Sequence, residues 1–349
     1  MAKIDALLKL MVEYQASDLH VTSGSPPLLR INGELERIAY HELSEEEVKL
    51  LVYEIVEQSG IDHLEAEFDL DFAYEIENVA RFRVNAYFKY GGLGAVFRMI
   101  PHDIMTFSEL GLPPAVRTLA RLRKGLVIVT GPTGSGKSTT LAAMVDLLNK
   151  ERKAHVITLE DPLEFIHENQ TCLIMQRQIG VHVESFAAGL RAALREDPNV
   201  IMVGEMRDLE TIALAITAAE VGLLVFGTLH TSSAAKTVDR IIDAFPKDQQ
   251  DQIRTMLSES LKGVIAQQLL KRADGKGRVA ALEILIGTQA VGNLIREAKT
   301  FQIHSIMQTG RKIGMQTIDQ HLKELVDSGQ VTREEALVYA DDKALFAEG

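Results

Sequence analysis

Leu126-Val127-Ile128-Val129-Thr130-Gly131-Pro132-Thr133-Gly134-Ser135-Gly136-Lys137-Ser138-Thr139 is the stretch that decides the fold. Its first four residues are apolar, and Val127, Ile128 and Val129 among them are β-branched, which predicts a buried strand. Residues 131–138 fit the pattern G-x-x-x-x-G-K-[ST], and a helix is expected from about Lys137. Each residue type in that pattern has chemical work. Glycines let backbone N–H groups turn inward around phosphates, and the helix N-terminus adds positive potential. Lys137 can reach the β- and γ-phosphates, and the Ser138 hydroxyl can ligate Mg²⁺. A dinucleotide fingerprint fails, because Gly134 and Gly136 are followed by Thr139 where the third glycine belongs.

Outward from this loop, apolar runs near 155–159, 200–203 and 223–227 alternate with helical patterns near 140–150, 185–196 and 208–220. Such alternation predicts a mostly parallel sheet covered by helices. From about 287 the chain reads as mainly helical. The run from Ile212 to Leu229 is long enough to imitate a membrane span, but Glu220 sits near its middle and Gly222 interrupts it. A buried helix, a turn and a buried strand fit better, and no transmembrane segment is expected.

Three more features are expected at the carboxyl ends of these strands, where open α/β sheets bind ligands. Val200 to Val203 leads into Gly204-Glu205, the place where a P-loop ATPase holds magnesium and water. Gly204 stands where an Asp usually ends that strand, so Glu205 reads either as a functional carboxylate or as an ordinary residue after a buried strand. Glu160, Asp161 and Glu164 follow the next predicted strand and could supply the missing contacts, or could form a solvated Asp-Pro turn. His230 follows the strand ending at Leu229. His167-Glu168 begins a zinc motif, but Thr171 occupies the second His position.

The N-terminal hundred residues read differently. Ile4, Leu7, Leu8, Met11 and Val12 form one helical face. Asn32-Gly33 between short extended runs predicts a hairpin. Ser44 with Glu47 predicts a capping box opening a helix to about Glu57. Extended runs follow over 68–76, 79–88 and 95–100, giving a small α+β domain. Pro101 to Pro114, with Gly111 and Pro113, reads as a linker.

The chain has 349 residues, which suits two domains, and 46% apolar with 25% charged residues is ordinary globular composition. One cysteine, Cys172, excludes an internal disulfide and a Cys-based zinc cage. Net charge is −12, which argues against a protein that lives on nucleic acid. The N-terminus has no apolar signal region, so a cytoplasmic location is expected. Charge is uneven: 41–80 holds 13 acidic residues and one basic residue, Lys49, whereas 81–98 holds Arg81, Arg83, Lys89 and Arg98 and no acid. On a strand, Arg81 and Arg83 share the polar face, opposite Phe82 and Val84. These arginines could pair with the acidic segment, or could stabilise transferring phosphate from a neighbouring subunit.

Taken together these residues resemble the PilT family of type IV pilus retraction motors, within the secretion-superfamily ATPases. The resemblance runs over essentially the whole chain. It rests on Ala16-Ser17-Asp18-Leu19-His20, the loop at 131–138, an acidic box at 157–165, Gly180 to Phe186, Gly204-Glu205-Met206-Arg207-Asp208 and a His box around 224–243. Near the C-terminus, Asn293-Leu294-Ile295-Arg296-Glu297 matches the end of the family motif A-I-R-N-L-I-R-E, with Gly292 in place of its first Arg.

The resemblance implies an α/β chain with a PAS-like N-terminal domain (1–100), a linker (101–114) and a RecA-like P-loop domain (115–349). It implies ATP and Mg²⁺ as ligands, with Gly131, Pro132, Thr133, Gly134, Ser135, Gly136, Lys137, Ser138 and Thr139 binding nucleotide. Glu205 is then expected to activate water, Glu164 and Ser138 to hold Mg²⁺ and water, and His230 to sense nucleotide. Arg81, Arg83 and Arg98 are expected near the nucleotide or a subunit interface. A homohexamer is implied, docked at the inner-membrane face on a pilus platform protein, with a second retraction ATPase as a further partner. A PilU-like accessory motor and a pilus-assembly or type II secretion ATPase are the alternatives. Those assembly and secretion relatives usually carry a longer N-terminal region and often a tetracysteine module, which weighs against them here. A silent nucleotide-binding ring subunit is disfavoured, because Lys137, Ser138, Glu164 and Glu205 are all present.

Overall fold

The computed structural model describes residues 2–31, 33–77, 79–100 and 104–346. Contacts divide the chain into two units: Met1–Asp103 with Pro162–Ile166, and Ile104–Asp161 with His167–Gly349.

The first unit runs α1 (Asp5–Glu13), β1 (Asp18–Thr22), β2 (Leu28–Ile31), β3 (Glu34–Arg37), α2 (Glu45–Tyr53), α3 (Gln58–Glu67), β4 (Asp69–Ile76), β5 (Ala80–Lys89) and β6 (Gly92–Ile100). Its strands form one antiparallel sheet in the order β3-β2-β1-β6-β5-β4. Strand alternation sorts the residues by face. Leu19, Val21, Phe82, Val84 and Phe97 pack with Ile4, Leu8 and Met11 of α1 and with Val48 and Leu64 of α2 and α3. The expected hairpin between β2 and β3 forms, although Asn32 of its turn lies outside the described residues. The capping box also forms: Ser44 Oγ accepts from Glu47 N–H at 3.2 Å, and Ser44 N–H donates to Glu47 Oε2 at 2.8 Å.

One expectation needs correction here. The helix opened by Ser44 stops at Tyr53 instead of running to about Glu57, and a second helix, α3, follows. Gln58-Ser59-Gly60 is a weak helix start by local propensity, but burial of Leu64 in the core overrides it. The Ser17-Asp18-Leu19-His20 stretch, read only as a motif, opens a central strand of the sheet.

The second unit runs α4 (Pro114–Ala120), β7 (Gly125–Thr130), α5 (Lys137–Glu151), β8 (His155–Glu160), β9 (Leu173–Gln178), α6 (Phe186–Ala193), β10 (Val200–Val203), α7 (Leu209–Glu220), β11 (Leu224–Leu229), α8 (Ala234–Asp243), α9 (Gln250–Ser260), β12 (Leu261–Lys271), β13 (Arg278–Ile286), α10 (Gln289–Arg296), α11 (Ile303–Thr309), α12 (Ile318–Asp327) and α13 (Arg333–Tyr339). Its seven-stranded sheet has the order β13-β12-β7-β11-β10-β8-β9. All neighbours are parallel except β12 and β13, which form an antiparallel pair.

Strands β7 and β11 are buried along their whole length, as expected for a parallel sheet covered on both faces. Leu126 and Ile128 face the cluster built with α6 to α10, while Val127 and Val129 face the cluster built with α4 and α5. Phe107, inside the expected linker, is buried in the second cluster. The imitation span resolves into α7, a turn at Gly222 and β11. No helix among the described residues is long and apolar enough to cross a membrane.

Candidate functional site

In the second unit the phosphate loop leaves the carboxyl end of β7 and enters α5, whose N-cap is Gly136. The loop is held against β12. β7 ends at Thr130, paired with Ala266, and β12 continues past it to Lys271. Gln267 is therefore the first β12 residue level with the loop. Its Nε2 donates to the Ser135 carbonyl at 2.6 Å, and its Oε1 accepts from Thr140 Oγ1 at 2.8 Å. A side chain on Gly131 would clash with the Gln267 carbonyl oxygen, and a Cβ on Gly136 would lie 2.8 Å from Gln267 Nε2. These two glycines are what allow the loop to lie this close to the strand.

Lys137 Nζ donates to the carbonyls of Gly131 at 2.9 Å and Pro132 at 3.1 Å, and lies 3.5 Å from His230 Nδ1. His230 follows β11, the strand beside β7, and its Nε2 lies 2.8 Å from Glu205 Oε1. Glu205 follows β10, the next strand, and the same oxygen accepts from Arg207 Nε. Hydrogen bonding to Glu205 raises the Arg207 guanidinium above its ordinary value. Lysine carries only donors, so Nδ1 of His230 accepts and the ring proton sits on Nε2, aimed at Glu205. The first residue of α5 and two residues that follow β11 and β10 thus form one row, Lys137–His230–Glu205. The mouth of β7 and β11 is tied by Thr130 Oγ1, which lies 2.8 Å from Thr231 Oγ1 and accepts from Thr231 N–H at 2.9 Å.

The glycine that replaces the usual strand-ending Asp has a packing reason. Gly204 N–H donates to the Leu159 carbonyl at 2.7 Å. A Cβ there would sit 3.0 Å from that oxygen and 3.3 Å from Glu160 Cα. β10 and β8 approach closely enough that a Cβ at 204 would need a neighbour to give by a few tenths of an ångström, and the strand-end carboxylate stands one residue onward, at Glu205. Glu160 itself is buried and accepts from Thr158 Oγ1 at 2.6 Å and from Gln176 Nε2 at 3.2 Å, whereas Asp161 is exposed. Gly292 has a similar basis: a Cβ would stand 2.9 Å from the Ser258 carbonyl of α9. Arg296 meanwhile donates to Ser258 Oγ at 2.8 Å.

The loop fits a phosphate group. Its Ser135 carbonyl is held by Gln267, and its Ser135 Oγ is buried with no hydrogen-bond partner among the described residues. Among the described residues no cluster of three or more His, Cys, Asp or Glu could hold a metal. Mg²⁺ takes few protein ligands and completes its shell with phosphate oxygens and water, so one hydroxyl beside the loop is the donor it would need from this chain. Ser138, the second residue of α5, offers the hydroxyl.

Glu164 lies in Pro162–Ile166, grouped by its contacts with the first unit, and is half-buried. In that unit Arg83, Arg98, Asp18 and Arg30 fall in one register row across β5, β6, β1 and β2. Buried Asp18 accepts from Arg98 Nε at 2.8 Å and lies 3.5 Å from Arg30 Nε. Arg81 lies 3.8 Å from Glu75 and Arg83 3.7 Å from Asp71, so both approach the acidic segment at loose, partly exposed distances. Pairs of that kind contribute about 0–1 kcal/mol.

Sequence reading missed Gln267, although two adjacent amides, Gln267-Gln268, inside an apolar strand were a visible signal. It also missed Glu283 of β13. That buried carboxylate accepts from Ala234 N–H at 2.6 Å at the start of α8, and burial raises its pKa.

Residues 1–348 match the family model described as type II/IV secretion system protein. The chain is 52% identical over 333 residues to the type IV pilus retraction ATPase PilT of Pseudomonas aeruginosa, covering 95% of this chain and 96% of that protein. It is 40% identical over 339 residues to the type IV pilus ATPase PilU of the same organism, covering 97% and 89%. A solved structure of the pilus retraction motor PilT with bound ADP superposes with a TM-score of 0.91 at 43% identity, covering 99% of this chain and 98% of that one. With a phosphate loop, a strand-end carboxylate and a matching whole-chain fold in place, the chain belongs to the PilT family, the type IV pilus retraction ATPases among the type II/IV secretion system proteins.

Proposed function

We propose that this chain works as a homohexameric motor that hydrolyses ATP to retract a type IV pilus. Residues 1–100 act as the PAS-like domain, 101–114 as the linker and 115–349 as the RecA-like ATPase domain. The observation that carries the reading is the Lys137–His230–Glu205 row at the mouth of three adjacent strands. It joins the residue that meets the γ-phosphate to the carboxylate that handles water.

The steps follow from that row. Lys137 is held by loop carbonyls and by His230. ATP draws the ammonium onto its β- and γ-phosphates, and the N–H groups of 131–139 close around them. His230 then loses the cation beside Nδ1 while Nε2–H still points at Glu205, so its ring reports whether phosphate is present. Glu205 accepts a proton from the attacking water. Ser138 would hold Mg²⁺ directly and Glu164 through water, and the ion would supply positive charge against the charge developing on the phosphates. Arg81, Arg83 and Arg98 stabilise the transferring phosphoryl group from a neighbouring subunit.

Docking at the inner-membrane face on a pilus platform protein, and joint action with a second retraction ATPase, complete the proposal. The greater identity to PilT than to PilU supports the principal motor over the accessory one. The test is a clean deletion in the source bacterium, with surface pili counted and twitching scored on the same cells. More pili without twitching is the expected result. Bald cells would mean an assembly motor, and unchanged pili would point to a paralogue.

A further inference from the structure

Gln267 is a buried amide with both ends of its side chain committed. Nε2 donates to the Ser135 carbonyl at 2.6 Å, and Oε1 accepts from Thr140 Oγ1 at 2.8 Å. The Ser135 carbonyl can only accept, so it takes the Nε2 end, and Thr140 anchors the other end of the amide. The Ser135 carbonyl and the Gly136 N–H belong to one planar trans peptide, so they point in opposite directions. Holding the carbonyl toward β12 turns the Gly136 N–H away from β12, toward the side where α5 begins. Gly136 has φ +86° and is the N-cap of α5, so this peptide is also the hinge between loop and helix.

We propose that Gln267 is a positioning residue for nucleotide binding: its amide pins the Ser135 carbonyl outside the phosphate cradle and aims the Gly136 N–H into it. This rests on the nucleotide-binding reading of the loop. The orientation is set before ligand arrives, so its loss weakens ground state and transition state alike and appears in KM, with kcat retained. ADP carries the phosphates that the loop backbone cradles, so ADP affinity falls in parallel.

The test uses the full chain and its Gln267→Met, Thr140→Val and doubly substituted forms. ADP affinity with Mg²⁺ is measured by calorimetry, steady-state ATP hydrolysis gives KM and kcat, and the thermal midpoint is taken without nucleotide. Gln267→Met keeps the side-chain volume and is expected to weaken ADP about tenfold, or about 1.4 kcal/mol. KM for ATP should rise by a similar factor, with kcat within about twofold. Thr140→Val, which frees the amide to rotate, is expected to weaken ADP about threefold. The double variant should bind no more weakly than Gln267→Met alone, because both changes remove one device. ADP affinity within twofold of the parent in both single variants, with only the thermal midpoint lowered, would overturn the proposal. Multiplicative losses in the double variant would overturn it too. Should Gln267→Met fail to fold, Thr140→Val carries the test alone, and unchanged ADP affinity in that variant overturns the proposal. A parent chain that binds no ADP would instead sink the nucleotide reading itself.

Discussion

His230 Nε2 lies 2.8 Å from Glu205 Oε1, although the two residues come from different strand ends. The same imidazole turns Nδ1 toward Lys137, so one ring touches both the phosphate-loop lysine and the strand-end carboxylate. Glu205 also accepts from Arg207, which leaves its Oε1 doubly engaged. The carboxylate is thus oriented from two sides before any substrate arrives.

Replacing Glu205 by Gln should abolish hydrolysis while keeping nucleotide affinity. The amide can still meet Arg207 and His230, but it cannot take a proton from water. A loss of about 10²–10⁴-fold in kcat is expected, with ADP affinity within about twofold of the parent. Phosphate release and ADP calorimetry on the same preparations check this. Equal losses in both would make Glu205 a structural residue.

Arg83→Ala should lower kcat with ATP affinity nearly unchanged, since a finger acts mainly in the transition state. Its 3.7 Å pair with Asp71 is partly exposed, so the variant should lose less than about 1 kcal/mol of stability. Mixing Arg83→Ala with Lys137→Ala protein should restore part of the activity. Mixed rings that form and stay inactive would rule out action from a neighbouring subunit.

Restoring an acid at position 204 should harm the protein. Gly204→Ala and Gly204→Asp both drive a Cβ against Leu159 O and Glu160 Cα, at a cost of about 1–3 kcal/mol. The Asp variant should be worse, because it adds charge beside the buried Glu160. Urea unfolding of the three proteins measures this. An unchanged midpoint for Gly204→Ala would show that β8 and β10 can separate freely.

His167 predicts an acid limb. Burial, opposed by nearby Asp146, pushes its pKa from 6.5 down to about 4. A depressed imidazole stabilises the fold fully above the unfolded pKa. That contribution fades as pH falls from about 6.5 toward 4, because the unfolded state binds the proton first. At pH 4.5 the loss from this residue should be about 2–3 kcal/mol. His167→Gln should flatten the parent's decline by that amount in urea titrations at pH 7 and 4.5. Parallel declines would show that His167 is not protonated on unfolding.

Much of this protein was legible in residue order. The loop at 131–138, its flanking strand and helix, and the strand-helix alternation depend on short-range periodicity and on residue types the chemistry requires. Other elements were not legible. β12 went unread because Gln267 and Gln268 interrupt its apolar pattern, and their partners lie elsewhere in the chain. α3 begins with Ser59 and Gly60 in its first turn, a weak local signal, while Leu64 is buried in the core.

The sequence by itself determined that a phosphate-binding loop sits in an α/β sheet, and that a small α+β domain with an arginine-rich strand precedes it in the chain. Tertiary structure alone decided which strands are neighbours. The order β12-β7-β11-β10 brings Gln267 under the loop, His230 onto Lys137 and Glu205 onto His230. It also decided why a glycine suits position 204, because that depends on how closely β10 passes β8. Local periodicity fixes the face each side chain takes; it carries no information on which strand lies alongside, and catalytic distances are set across strands.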